Sequence, residues 1–167
     1  NNHWFPWLSK QLQINEVFAV AIEPPKPYSP RYDVWKKEFE RFDITPETVL
    51  VGHSCGGGFL VRWLSENKDV KVGKVVLVAP WLNPDNNPIS DTADFFDFEI
   101  DPDLVSRTAC ITIFNSDNDF DSIHKSVQMI RGAVKDIGYE EFHNYGHFCY
   151  EDLKTVEFPE LVEACLS

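Results

Sequence analysis

Apolar and polar residues follow one another along this chain in the order expected of a parallel sheet covered by helices. Apolar stretches of strand length lie at 16–22, 48–52, 74–80, 109–114 and 139–142. Apolar residues recur at helical spacing over 4–13, 32–42, 55–66, 122–137 and 158–166. Because strand-length and helix-length segments take turns, the pattern predicts an α/β fold with a mostly parallel sheet and helices on both faces.

Two segments interrupt this alternation. Four prolines between residues 24 and 30 predict an extended connection, since proline lacks the amide proton that a helix interior uses. Residues 81–107 show neither period and are predicted to be irregular. A chain of 167 residues is about the length of one domain, so we expect a single domain over residues 1–167.

The charge of the chain limits its partners. The 167 residues carry a formal net charge of -12 at pH 7. Such a chain is repelled by the phosphates of nucleic acids and by anionic membrane surfaces, so we predict neither as a partner. No sequence feature indicates a protein partner, and a small molecule is the expected ligand.

Cysteine spacing predicts free thiols. The four cysteines, Cys55, Cys110, Cys149 and Cys165, form no C-x-x-C pair. Cys110 lies in a strand-like run and Cys165 in an apolar helical stretch, so both are predicted to be buried. Free thiols favour a reducing, cytoplasmic environment, and the spacing predicts neither a metal site nor a cofactor.

The most informative motif is Gly52-His53-Ser54-Cys55-Gly56, which has the form G-x-S-x-G. It follows a predicted buried strand and opens a predicted helix, the context in which such a serine becomes a nucleophile. Gly52 and Gly56 are expected to keep the turn free of side chains. Ser54 is therefore the predicted nucleophile, and the backbone N–H of Cys55 is the predicted oxyanion donor. The alternative is a glycine-rich turn that serves packing alone.

A nucleophilic serine needs a base, and the base needs an acid that orients it. The carboxyl ends of parallel strands share one edge, so the loops after 109–114 and 139–142 should supply these groups. His147 is the predicted base, because Gly146 before it frees the backbone to turn the ring inward. Asp119 is the predicted acid, with Asp117 as an alternative.

Several neighbouring residues receive other assignments. His143 competes with His147 but lies nearer the strand, and Asp121 is placed to cap the following helix. His53 is expected to pack or hydrogen-bond behind the turn. The Cys55 side chain is a rival nucleophile by type only, because the turn presents position 54 to substrate.

The remaining candidates concern the pocket and two other site classes. Trp81 is predicted to floor a substrate pocket and Phe95 to line it, although an aromatic cluster is more often core. A metal hydrolase on His124, His143 and His147 is disfavoured, since no H-E-x-x-H spacing is present. A dinucleotide fold is disfavoured because G-x-G-x-x-G is missing.

These motifs resemble a known family, the small serine hydrolases of the retinoblastoma-binding protein 9 and YdeN-like type. The resemblance extends over essentially the whole chain. The matching segments are Trp4-Phe5-Pro6-Trp7-Leu8, Tyr32-Asp33-Val34-Trp35, Gly52-His53-Ser54-Cys55-Gly56-Gly57, Val76-Leu77-Val78-Ala79-Pro80, Asp94-Phe95-Phe96-Asp97-Phe98 and Gly146-His147-Phe148.

The resemblance implies a compact α/β-hydrolase without a large lid, a triad of Ser54, Asp119 and His147, and hydrolysis of an ester or related acyl substrate. Relatives begin with an apolar strand and a His-Gly loop, whereas residue 1 already lies in that loop. We therefore expect the first strand, and the loop that donates the second oxyanion N–H, either to lie outside residues 1–167 or to be supplied by another chain. The alternative function is an interaction module that keeps the fold but lacks strong activity.

Overall fold

A four-stranded parallel sheet forms the centre of the computed structural model, which describes residues 3–86 and 94–167. Its strands are β1 (Val49–His53), β2 (Val72–Val78), β3 (Thr108–Ser116) and β4 (Gly138–Phe142), in the spatial order β1-β2-β3-β4. Each neighbouring pair is parallel. The order of strands in space therefore matches their order in sequence, and every connection between them crosses over the sheet.

Six helices accompany the sheet in the described residues. They are α1 (Phe5–Ile14), α2 (Tyr32–Phe39), α3 (Cys55–Glu66), α4 (Asp121–Ala133), α5 (Tyr150–Leu153) and α6 (Pro159–Leu166), and a 3-10 turn covers Leu104–Arg107. Helix α3 packs on β1 and β2, α4 on β3 and α6 on β2, while α1 contacts α6. The predicted α/β class with a helix-flanked parallel sheet is confirmed.

Strand register brings the carboxyl ends of all four strands to one edge. His53 pairs with Val78, Val78 with Phe114, and Ser116 with Phe142. The loops that follow these residues consequently leave the sheet side by side. In open parallel sheets this edge is where ligands bind.

Two aromatic clusters pack on this framework. The first joins α2 to α3 through Tyr32, Trp35, Phe39, Phe59, Trp63 and Phe95. The second lies beside β4 and consists of Phe114, Phe142, Tyr145, Phe148 and Phe158. Most of these rings are buried, and buried aromatic side chains contribute strongly to core stability. The second cluster also fixes the loop after β4.

The strand predicted at 16–22 is wrong. Residues 17–24 form neither helix nor strand, and the Phe18 side chain is 88% exposed. Ala19 is attached to α1 through its carbonyl oxygen, which accepts a hydrogen bond from Ser9 Oγ. A strand needs a partner for its amides, and no strand of the described sheet pairs with this segment. The apolar run over 16–22 does not by itself supply a neighbouring strand for the segment to pair with.

Other expectations need smaller corrections. Cys110 is exposed rather than buried, whereas Cys165 is buried as predicted. The helix expected over 122–137 ends at Ala133, and the helix expected to reach Phe42 ends at Phe39. The irregular character of 81–107 holds where it is described, but residues 87–93 lie outside the described residues.

No described helix combines the length and apolar character that a bilayer crossing demands.

Candidate active site

The turn between β1 and α3 holds Ser54 in an unusual backbone conformation. Its φ and ψ are 53° and -119°, values that a residue with a side chain rarely adopts. The Ser54 N–H donates to the carbonyl of Val78, and the Ser54 carbonyl accepts from the N–H groups of Gly58 and Trp81. These three bonds tie the turn to β2, to α3 and to the loop after β2, and so hold the serine side chain at the strand edge.

At two glycines near Ser54, the backbone of another residue lies too close to leave room for a side chain. A Cβ on Gly52 would lie 2.7 Å from the carbonyl oxygen of Gly56, and one on Gly58 would lie 2.1 Å from that of Trp81. A Cβ on Gly56 would meet no atom within 4 Å outside its own turn of helix. Small size is therefore required at Gly52, as predicted, and at Gly58. It is not required at Gly56, where the prediction is wrong.

Ser54, His147 and Asp119 form one chain of hydrogen bonds. His147 Nε2 lies 3.0 Å from Ser54 Oγ, and His147 Nδ1 lies 2.9 Å from Asp119 Oδ1. An ionised carboxylate only accepts hydrogen bonds, so it holds the proton of His147 on Nδ1 and leaves Nε2 to accept from the serine hydroxyl. The structure thus brings the predicted nucleophile, base and acid together in a productive order.

The Asp119 carboxylate is fixed and enclosed. The Asp119 side chain is 0% exposed, and that of His147 is 17% exposed. Asp119 Oδ1 also accepts a 2.7 Å hydrogen bond from the Phe120 N–H. Enclosure keeps water from competing for the carboxylate, which strengthens its interaction with the imidazole.

Hydrogen bonds join the two loops that carry His147 and Asp119. Asn118 Oδ1 accepts from Ser116 Oγ and from the N–H of Gly146, both at 2.8 Å. Ser116 Oγ in turn accepts from the N–H of Tyr145. Gly146 has φ 54°, in agreement with the prediction that it allows the turn before His147. His147 and Asp119 are therefore positioned by one shared network of hydrogen bonds.

The segment after His147 is anchored in the core. Phe148 is fully buried in the second aromatic cluster, and its carbonyl accepts a 2.9 Å hydrogen bond from Trp4 Nε1. The His147 N–H donates to Asp152 Oδ2 at 2.8 Å. Aromatic burial and these two bonds fix the backbone on both sides of the imidazole.

Cys55 offers an amide at the nucleophile. It is the first residue of α3, and the first amides of a helix have no carbonyl partner within it. That N–H lies beside Ser54 at the positive end of the helix dipole, so it is suited to bind a developing oxyanion. Burial raises the pKa of the Cys55 thiol to about 12, which keeps this sulfur protonated and argues against it as the nucleophile.

His53 lies behind the turn, as predicted. Its Nε2 lies 2.8 Å from the backbone oxygen of His147, and its Nδ1 lies 3.3 Å from His3 Nε2. Burial, followed by the nearby imidazoles of His147 and His3, lowers the pKa of His53 to about 3. Burial also lowers the pKa of His3, to about 4. Both rings are neutral at physiological pH.

The competing residues form a separate pair. Asp117 accepts from the N–H of Asn144 at 2.8 Å and contacts the ring of His143. The His143 side chain is 82% exposed. Neither member of the pair takes part in the hydrogen bonds that join Ser54, His147 and Asp119. Asp121 is the first residue of α4 rather than its cap, a position occupied by Phe120, so that expectation is wrong.

The two predicted pocket residues have different surroundings. Trp81 is half-buried, and its ring lies 4.9 Å from that of Phe96 between centroids. Its backbone N–H donates a hydrogen bond to the carbonyl oxygen of Ser54. It remains a candidate for the pocket floor. Phe95 is fully buried among Tyr32 and Trp35 of the first aromatic cluster. The prediction that Phe95 lines a pocket is therefore corrected, since its ring has no exposed surface.

Positioning residues were missed by the sequence reasoning. Ser116, Asn118 and Asp152 orient the loops, yet each is an ordinary loop or helix residue without a motif. The only signal was their proximity to His147 and Asp119 in sequence.

Within the ranges 3–86 and 94–167, His3, His53 and Cys149 each place one potential ligand atom within 4.8 Å of the other two.

Comparison with known proteins gives a consistent result. The family model described as "Serine hydrolase" matches residues 1–150. A curated relative, "Putative hydrolase YdeN" of Bacillus subtilis (strain 168), is 36% identical over 81 residues, which are 47% of this chain and 43% of the relative. The aligned region thus spans less than half of that relative's length.

Solved structures share the fold. The crystal structure of the ydeN gene product from B. subtilis superposes with a TM-score of 0.79 at 25% identity, covering 97% of this chain and 88% of that one. A YdeN-like protein from Pectobacterium atrosepticum superposes with a TM-score of 0.63 at 19% identity, covering 98% and 83% of the two chains. Given the extent of the family match, this chain belongs to the serine hydrolase family and is similar to its YdeN-like members.

Proposed function

We propose that this protein is a serine hydrolase that cleaves a small ester or related acyl substrate through an acyl-enzyme on Ser54. The observation that carries the proposal is the unbroken hydrogen-bond chain from Ser54 Oγ through His147 to Asp119. This arrangement supports acyl transfer because it couples a nucleophile to a base of fixed tautomer.

The proposed reaction has two halves. Ser54 Oγ attacks the substrate carbonyl while His147 Nε2 accepts its proton, and the Cys55 N–H binds the oxyanion. The tetrahedral intermediate collapses, and His147 returns the proton to the leaving alcohol. His147 then activates a water molecule that attacks the acyl carbonyl, and the released carboxylic acid leaves Ser54 free again. Asp119 stabilises the imidazolium in both halves.

Ester bonds are the proposed substrate class, with a small acyl group. An alcohol leaves more readily than an amine, so ester hydrolysis asks less of the Ser54, His147 and Asp119 arrangement than amide hydrolysis does. The net charge of -12 disfavours strongly anionic substrates. Trp81 is proposed to floor the acyl pocket, because it is half-buried and adjoins Ser54.

A fluorophosphonate probe tests the proposal directly. We expect it to label the protein on Ser54, and p-nitrophenyl acetate to be hydrolysed. Ser54→Ala and His147→Ala should each lose labelling and turnover. The matched control is His143→Ala, which should retain both because that side chain lies outside the hydrogen-bond chain.

Absence of labelling in a folded protein would contradict the hydrolase proposal and favour an interaction module instead. Equal labelling of the parent protein and Ser54→Ala would place the reactive group elsewhere. Circular dichroism on each variant separates loss of chemistry from loss of fold.

A further inference from the structure

Two imidazoles and a thiol meet behind the proposed nucleophile. One ligand atom each from His3, His53 and Cys149 lies within 4.8 Å of the other two. The three residues come from the start of the chain, the end of β1 and the turn before α5. Nothing in their sequence spacing brings them together, and none belongs to the hydrogen-bond chain of Ser54, His147 and Asp119.

Hydrogen bonding leaves the nitrogen of His53 that faces this group without a proton. A backbone carbonyl only accepts, so the 2.8 Å contact with the oxygen of His147 places the His53 proton on Nε2. His53 Nδ1 therefore presents a lone pair to the group. Metal-binding histidines typically hold their second nitrogen on a carbonyl or carboxylate in this way, which fixes both tautomer and ring orientation.

His3 supplies the second nitrogen. Its Nε2 lies 3.3 Å from His53 Nδ1. Two nitrogens bound to one tetrahedral zinc ion, each at about 2.05 Å, are separated by about 3.3 Å. Because His53 Nδ1 accepts the hydrogen bond from His3, the His3 proton lies on Nε2 in the metal-free protein. A cation bound at Nε2 replaces that hydrogen bond, and the ring then carries its proton on Nδ1, which is buried and has no hydrogen-bond partner within the described ranges.

Cys149 supplies a sulfur, and its surroundings are acidic. A zinc-bound thiolate and imidazole nitrogen lie about 3.5 Å apart, and Cys149 offers its sulfur within 4.8 Å of both imidazole nitrogens. Glu151 and Asp152 interact electrostatically with Cys149, and Glu151 also with His3. Negative charge on this side favours a cation over an anion.

We propose that His3, His53 and Cys149 bind one divalent transition-metal cation of the zinc class. Two neutral imidazoles and one thiolate suit a borderline-soft ion, whereas Mg²⁺ and Ca²⁺ prefer oxygen ligands. On binding, the thiol proton passes to solvent and the sulfur forms a bond to the ion. His147 keeps both of its nitrogens in the bonds to Ser54 and Asp119, so the site lies next to the proposed catalytic groups without sharing them.

Cobalt and zinc titrations of the reduced, untagged, metal-free full chain test this site. Co²⁺ should bind at one equivalent and produce a thiolate-to-cobalt charge-transfer band, and Zn²⁺ should displace it. Mg²⁺ at the same concentration should not. Cys149→Ser should abolish the band and weaken Zn²⁺ binding at least about tenfold, since even indirect changes at metal sites weaken binding about 10–100-fold.

Cys110→Ser is the matched control, because it removes an exposed thiol near the start of β3 that is not among the three ligands, and it should leave band and affinity unchanged. His3→Ala should weaken Zn²⁺ binding while preserving the far-ultraviolet circular dichroism, and it replaces Cys149→Ser if that variant fails to fold. A cobalt complex without the thiolate band would overturn the proposal. So would unchanged Zn²⁺ affinity in the folded ligand variants.

Discussion

At the scale of single residues, the two acids of one loop have distinct surroundings. Asp119 faces His147 and is fully enclosed, whereas Asp117 faces the exposed His143. Hydrogen bonds from the Asn144 N–H and from His143 lower the pKa of Asp117. Their separation by two residues, together with the turn of the loop, points the carboxyl groups at different histidines.

Asparagine at these two positions should therefore have unequal effects. We expect Asp119→Asn to lower kcat by about 10⁴, because the amide favours the wrong tautomer of His147. Asp117→Asn should keep kcat within about tenfold, since Asp117 contacts Asn144 and His143, and neither belongs to the hydrogen-bond chain of Ser54, His147 and Asp119. Steady-state hydrolysis of p-nitrophenyl acetate measures both. A larger loss in Asp117→Asn than in Asp119→Asn would reverse the assignment of the acid.

At the scale of helices and strands, the sequence predicts the position of β1 and α3 better than it predicts strand pairing and loop hydrogen bonds. The G-x-S-x-G motif and the apolar run before it locate β1, Ser54 and α3, because a buried strand followed by a glycine-rich turn is typical of a strand that leads into a helix. The choice between Asp117 and Asp119 depends on loop hydrogen bonds to Asn118, which no periodicity encodes. The strand expected at 16–22 depends on a pairing partner, which local pattern does not supply.

Matched alanine variants at Gly58 and Gly56 test which of these two positions at the start of α3 requires glycine. We expect Gly58→Ala to lower the free energy of unfolding by about 1–3 kcal/mol, because its Cβ would collide with the Trp81 backbone. Gly56→Ala should be neutral or stabilising by up to about 1 kcal/mol, since it meets open space and alanine favours helix. Urea unfolding compares the two, and equal effects would contradict this account.

At the scale of the whole molecule, an acidic chain encloses a group of imidazoles. His3, His53 and His147 lie close together behind and beside Ser54, although the net charge is -12. Burial holds the pKa of His53 at about 3 and that of His3 at about 4. The folded state thus resists protonation at positions where the unfolded chain accepts it readily.

Acid should therefore unfold the protein progressively. As the pH falls from about 6.5 to 4.5, unfolded His53 gains a proton that the folded state does not, so the free energy of unfolding should fall. His53→Gln should reduce this slope by up to about 1.4 kcal/mol per pH unit, the value for one proton. Urea unfolding at several pH values provides the measurement.

His143→Gln is the matched control, because its exposed ring takes no part in the enclosed group. It should retain the slope of the parent protein. An identical slope in His53→Gln would show that the buried imidazole does not govern acid unfolding.

The left-handed backbone of Ser54 has a consequence for how this protein evolves. A residue with a side chain in such a conformation destabilises the fold by about 1–3 kcal/mol, whereas glycine tolerates it. Ser54→Gly should thus yield a chemically inert chain that is harder to denature than its parent. Stability and the proposed turnover therefore make opposite demands on the residue at this one position.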